Sequence, residues 1–107
     1  FKTIKNLKFA NENIKFYVKK NLNKNVTFFN INKIAILKED FFHQSEEVVF
    51  RSFVEIIKII GKKYYPVRGK KIQRILKLLN TKTSLKLTLG NCLIKKVNRT
   101  VILSKEQ

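Results

Sequence analysis

The sequence predicts an α+β fold: a small single domain in which amphipathic helices pack on short antiparallel β-hairpins. Three observations predict it. Apolar residues recur at helical spacing over three stretches, the period changes to two after Thr81, and asparagine or glycine punctuates the short apolar runs. At 107 residues with 44% hydrophobic side chains, the chain can bury one modest core and is too short for a second. With no internal repeat and no low-complexity linker, residues 1–107 read as one domain.

The first element runs from Phe1 to about Lys20. Ile4, Leu7, Ala10 or Asn11, Ile14, and Tyr17 or Val18 fall on one side, the spacing of a basic amphipathic helix. Asn21, Asn23 and Asn25 are expected to break it, because asparagine competes for backbone hydrogen bonds in helix interiors. Val26 to Ile31 and Lys33 to Leu37, about the turn formers Asn30 and Asn32, then read as a short hairpin.

Ser45 suits an N-cap, and Glu46 and Glu47 in the following turn complement the positive end of a helix dipole. The predicted helix runs to Ile60 with Val49, Phe53, Ile56, Ile57 and Ile60 as its apolar stripe. Gly61 is expected at the left-handed position after its last turn. Pro66 forces Tyr65 out of the helical region, and Gly69 opens a third helix over Lys70 to Leu79, with Ile72, Ile75, Leu76 and Leu79 facing inward. Beyond it, Leu85, Leu87 and Leu89 alternate with polar residues, Gly90-Asn91 makes a turn, and Cys92 to Val97 and Thr100 to Leu103 complete a small antiparallel sheet.

The charge balance narrows the function. Twenty-four Lys and Arg stand against 7 Asp and Glu, a formal net charge of +17, which favours a polyanionic partner through counterion release. Nucleic acid is the first candidate. AT-rich coding drift, which inflates lysine, asparagine and isoleucine together, accounts for part of the excess but does not by itself starve a chain of acids.

Several chemistries are disfavoured. The three glycines, Gly61, Gly69 and Gly90, are isolated, so no glycine-rich loop is present to bring bare amides to the phosphates of a nucleotide. Single residues of each type, His43 and Cys92, offer neither metal-ligand spacing nor a supported nucleophile and base. Cys92 reads as a small buried strand residue, His43 as a surface or capping residue, and Glu39 and Asp40 as solvation ahead of a helix. No apolar run approaches the ~20 residues that span a bilayer. One cysteine forms no internal disulfide, which fits a reducing, cytoplasmic setting. The chain starts at Phe1 and lacks methionine, so it is expected to be a piece of a longer protein.

Candidate contacts gather in the stretch after Gly61. Lys62, Lys63, Tyr64, Tyr65, Arg68, Lys70 and Lys71 mix cations with rings, the composition that contacts phosphates while stacking on unpaired bases. The bland alternative has one of the two tyrosines anchoring the loop to the core. Lys70, Arg74 and Lys77 follow at i, i+4 and i+7, so they share one outward stripe of the third helix. Lys2, Lys5, Lys8, Lys15 and Lys19 on the first helix read as a solvated face.

From Phe50 onward the sequence resembles the substrate-binding region of tRNA(Ile)-lysidine synthases, in particular their alphaproteobacterial form. The resemblance is carried by Arg51 opening a helix, the Tyr65-Pro66-Val67-Arg68 turn, the basic helix through Arg74 and Leu79, Thr88-Leu89-Gly90-Asn91-Cys92, and Lys105-Glu106. Val67, Asn91 and Lys105 stand where that pattern carries proline, glycine and arginine. The resemblance implies a ligase that uses ATP to attach lysine to the wobble cytidine of an isoleucine tRNA. It further implies that the ATP-binding phosphate loop belongs to an N-terminal catalytic domain outside these residues, so this chain carries no cofactor and no catalytic residue of its own. Its partners would be tRNA and that catalytic domain, with homodimerisation left open and no membrane involved.

Two other functions compete with this one. A basic scaffold or assembly domain, or a general RNA-binding domain without an enzymatic role, would have the same composition. A nuclease using His43 and nearby carboxylates ranks last.

Overall fold

The computed structural model describes residues 4–31, 33–61, 69–89 and 91–105, with side chains from residue 13 onward. Three helices, α1 (Ile4–Asn25), α2 (Glu46–Gly61) and α3 (Gly69–Thr81), accompany five strands: β1 (Val26–Phe29), β2 (Ile34–Leu37), β3 (Ser84–Leu89), β4 (Cys92–Val97) and β5 (Thr100–Lys105). The fold is α+β, and the hairpins expected from sequence merge into one antiparallel sheet in the order β1-β2-β5-β4-β3. The joint is the pairing of β5 with β2, which sets Leu103 opposite Ala35 and Val101 opposite Leu37.

Strand alternation divides the sheet into two unlike faces. Ala35, Leu103, Ile94 and Leu87 form one cross-strand row and lie against α2 and α3 in a single core with Phe53, Ile56, Ile60, Ile72 and Leu79. Each fully buried Phe, Leu or Ile there contributes about 1.5–3 kcal/mol relative to exposure. The opposite face carries the half-buried Ile34, Ile36, Leu93 and Ile102, flanked by Lys86 and Lys95.

Helix α1 runs five residues beyond its expected end. Asn21 and Asn25 are buried, and their amides are satisfied: Asn21 Nδ2 donates to the Phe41 carbonyl and to Ser52 Oγ, both at 3.3 Å, and Asn25 Nδ2 donates to Asn21 Oδ1 at 2.8 Å. Tertiary hydrogen bonds of Asn21, and the i, i+4 bond that Asn25 makes to it, therefore absorb the amides that would otherwise compete with the helical backbone. Asn23 is exposed and leaves the helix intact.

The hairpin between β1 and β2 turns at Asn30 and Ile31, both at φ 54°, and Lys33 N–H closes it on the Phe29 carbonyl at 3.0 Å. Asn32 lies outside the described residues. Between β2 and α2 a 3-10 helix, Glu39–His43, buries Phe41 beneath α1, an element that the sequence did not announce.

The start of α2 is as expected, with Val48 N–H bonded to Ser45 Oγ at 3.3 Å and Glu46 and Glu47 in the first turn. Its end differs: Gly61 is the last helical residue rather than a cap beyond the helix. The left-handed residue here is Asn91, at φ 68°, whose Nδ2 donates to the Gly61 carbonyl at 3.1 Å. A side chain from the β3–β4 turn thus bonds a carbonyl at the described end of α2.

Helix α3 has no basic residue in its last turn, and the sheet supplies one. Lys96 shares a cross-strand row with Val101 and Leu85 on the core side, and its Nζ donates to the Leu79 carbonyl. Its aliphatic stem crosses apolar surface to deliver the ammonium where the helix dipole is negative.

Candidate nucleic-acid interface

Of the nine residues read from sequence as contacts, Lys62, Lys63, Tyr64, Tyr65 and Arg68 lie outside the described residues. The remaining four, Lys70, Lys71, Arg74 and Lys77, are all exposed on α3. Ile72, Ile75 and Leu79 turn into the core, and Lys70, Arg74 and Lys77 project from the opposite side of the helix. Lys71 sits about 100° round from Lys70, on the flank of that stripe.

The stripe is unneutralised from within its own helix. The α3 sequence, GKKIQRILKLLNT, contains no carboxylate, and its first turn holds Lys70 and Lys71 where acids would normally complement the dipole. Among the described residues, the ion pairs are Arg51–Glu47, Lys58–Glu55 and Arg99–Glu39, and the Asp40 carboxylate stands 3.5 Å from His43, so none involves these four cations. Like charges along one helix face cost helix stability, by a few tenths of a kcal/mol per i, i+4 pair. An anionic partner would relieve that cost.

One end of the stripe is tempered. Lys77 lines a groove of about 550 Å³ between α2 and α3 whose α2 wall carries Glu46 and Glu47. Arg51 Nε holds Glu47 at 2.6 Å, which leaves Glu46 as the less neutralised acid of that wall.

The residues set aside as structural behave so. Cys92 is fully buried in β4, with its thiol directed to the Ile57 carbonyl at 3.7 Å, whereas His43 is exposed on the 3-10 helix and stands 3.5 Å from Asp40. The two are therefore not brought together as a nucleophile and base. Glu39 faces Arg99 at 3.7 Å. Among the described residues no group of three or more His, Cys, Asp or Glu is gathered to hold a metal ion, and no helix is long and apolar enough to cross a membrane.

A second cationic surface escaped the sequence reading. On α1, Val18 takes the buried position, and Phe16 and Tyr17 stand 60% and 48% exposed among the exposed Lys15, Lys19, Lys20 and Lys24. The signal was present: positions 16 to 18 span about 200° of a helix, so one buried band cannot take all three side chains.

No protein-family model matches the chain, and neither a curated protein nor a solved structure matches it.

Proposed function

We propose that this chain is an RNA-docking domain, and that it serves as the tRNA-holding part of a tRNA(Ile)-lysidine synthase whose ATP-dependent chemistry resides in a separate catalytic domain. The first half of the reading rests on the α3 stripe: Lys70, Arg74 and Lys77 are exposed on one side of a helix that has no acid of its own. Such a row neutralises successive phosphates without desolvating a buried charge. The second half rests on the motifs from Arg51 to Glu106 that resemble that family. In this reading ATP and lysine are handled elsewhere, and the domain contributes orientation, holding the folded tRNA so that its anticodon reaches the reacting centre.

The test is the salt dependence of tRNA binding by the whole chain. Lys70→Ala and Arg74→Ala should each reduce the slope of log K against log salt by about 1 if the side chain neutralises a phosphate. Binding that is weak and indifferent to salt would reject RNA docking. Lysidine formation by the parent protein, retained with these variants at saturating tRNA and lost at limiting tRNA, tests the enzymatic assignment.

A scaffold role is the second reading, favoured by the half-buried apolar side chains of Ile34, Ile36, Leu93 and Ile102 on the sheet face away from α2 and α3. It calls for salt-insensitive binding of a protein partner and negligible affinity for tRNA.

A further inference from the structure

We propose that the groove between α1 and the 3-10 helix Glu39–His43 holds one unpaired nucleotide of the docked RNA, an inference that rests on the RNA-docking reading.

The groove measures about 270 Å³, with Tyr17, Lys20 and Lys24 on its α1 wall and Asp40, His43 and Gln44 on the other. Tyr17, Lys20 and Lys24 are related by i, i+3 and i+7, so they form a single stripe bordering the buried band of the helix. Lys20 is also i+4 from Phe16, whose ring meets Tyr17 edge to face with centroids 5.3 Å apart. Beyond the lysines, a shallower depression of about 480 Å³ is lined by Phe16, Lys19 and Asn23. Lys20 and Lys24 line both hollows and so form a cationic ridge with an aromatic ring on either side.

This is the arrangement that a single strand needs. A base stacks on a ring whatever its identity, and the phosphate that follows it requires a cation at the edge of the stack. The opposite wall adds selectivity. The Asp40 carboxylate accepts hydrogen bonds only, so it suits an exocyclic amine and not a carbonyl at the edge of a base. Gln44 Nε2 donates to the Asp40 carbonyl at 3.2 Å and steadies that wall. Asn21 and Asn25 also line the groove, but their amides are committed to Phe41, Ser52 and each other, so they are framework and not readers of the base.

Position links this groove to the α3 stripe. Gln44 lines both this hollow and the larger groove shared with Lys77, so the corner before α2 is common to the two cationic surfaces. A single strand leaving an RNA at Lys77 would pass that corner, beside the Glu46 and Glu47 wall, to reach α1.

The test uses the whole chain, a blunt RNA duplex, and hexamers of adenylate and uridylate, with affinity read by fluorescence anisotropy. Tyr17→Leu keeps an apolar, helix-compatible side chain and removes the ring. It should weaken the adenylate hexamer by roughly five- to a hundredfold, the range of one lost base stack, and leave the duplex unchanged. Asp40→Asn should reduce the preference for adenylate over uridylate. Unchanged hexamer binding by Tyr17→Leu, or equal weakening of hexamer and duplex, overturns the groove assignment. Loss of duplex binding in the Lys70→Ala/Arg74→Ala double variant, with Tyr17→Leu silent on both ligands, would leave the α3 reading standing and this one refuted. The reverse pattern would refute α3 as the docking surface and retain the groove.

Discussion

Asn21 of α1 donates its side-chain amide to the hydroxyl of Ser52 in α2 at 3.3 Å, inside the protein and across 31 residues of sequence. The same amide reaches the Phe41 carbonyl, and its Oδ1 accepts from Asn25, so one side chain joins two helices and the 3-10 turn. Asn21→Leu would leave a buried carbonyl and the Asn25 amide without their partner. It should destabilise the fold by about 1–3 kcal/mol, read as a lower urea midpoint at unchanged m-value. Wild-type stability for this variant would show that the network is not closed in solution.

Asn91 sits at φ 68° and donates to the Gly61 carbonyl. Asn91→Gly keeps the backbone geometry and loses the hydrogen bond, whereas Asn91→Ala loses the bond and adds about 1–2 kcal/mol of left-handed strain. Thermal unfolding should rank them asparagine above glycine above alanine. Alanine melting at or above glycine would count against a left-handed residue at this position.

The acidic wall beside Lys77 acts against a polyanion. Glu46→Gln should tighten tRNA binding at low salt by less than about 1 kcal/mol, the scale of one exposed charge interaction, and have no effect at high salt. A tighter complex at every salt concentration would point to a conformational effect instead.

Cys92 is sealed in the core beneath α2. Alkylation of the native protein should therefore be slow and track the opening of the fold, accelerating in step with global unfolding as urea is raised. Rapid modification without denaturant would place the thiol near the surface.

How much of this was legible in the sequence differs between elements for physical reasons. Helix α2 could be read closely because its signals are local: Ser45 as cap, two glutamates in the first turn, and a stripe from Val49 to Ile60. The α3 stripe was equally accessible, since i, i+4, i+7 spacing fixes which side chains share a face. The end of α1 was misread because three asparagines argue for a break when solvated, and only the contacts of Asn21 with the distant Phe41 and Ser52, with Asn25 bonded to Asn21 one turn on, reverse that preference. Gly61 lies within α2 rather than after it, and the side chain that bonds its carbonyl, Asn91, comes 30 positions later, beyond any local signal. The α1 surface was passed over because lysines on an amphipathic helix usually coat a solvated face; the spacing of positions 16 to 18 says that one of the three must stay outside, but not that Val18 alone would claim the core. Lys62 to Arg68, where the sequence concentrated its candidate contacts, fall outside the described residues.

The position of β5 also governs how the domain is made. It follows every other strand in sequence yet occupies the middle of the sheet, with β2 on one side and β4 on the other. During synthesis the β1–β2 hairpin and the β3–β4 pair have no common neighbour until Thr100 to Lys105 clear the ribosome. The nascent chain must therefore wait, with the Ala35 and Ile94 edges unsatisfied, and then close in one cooperative step whose rate is set by long-range loop closure.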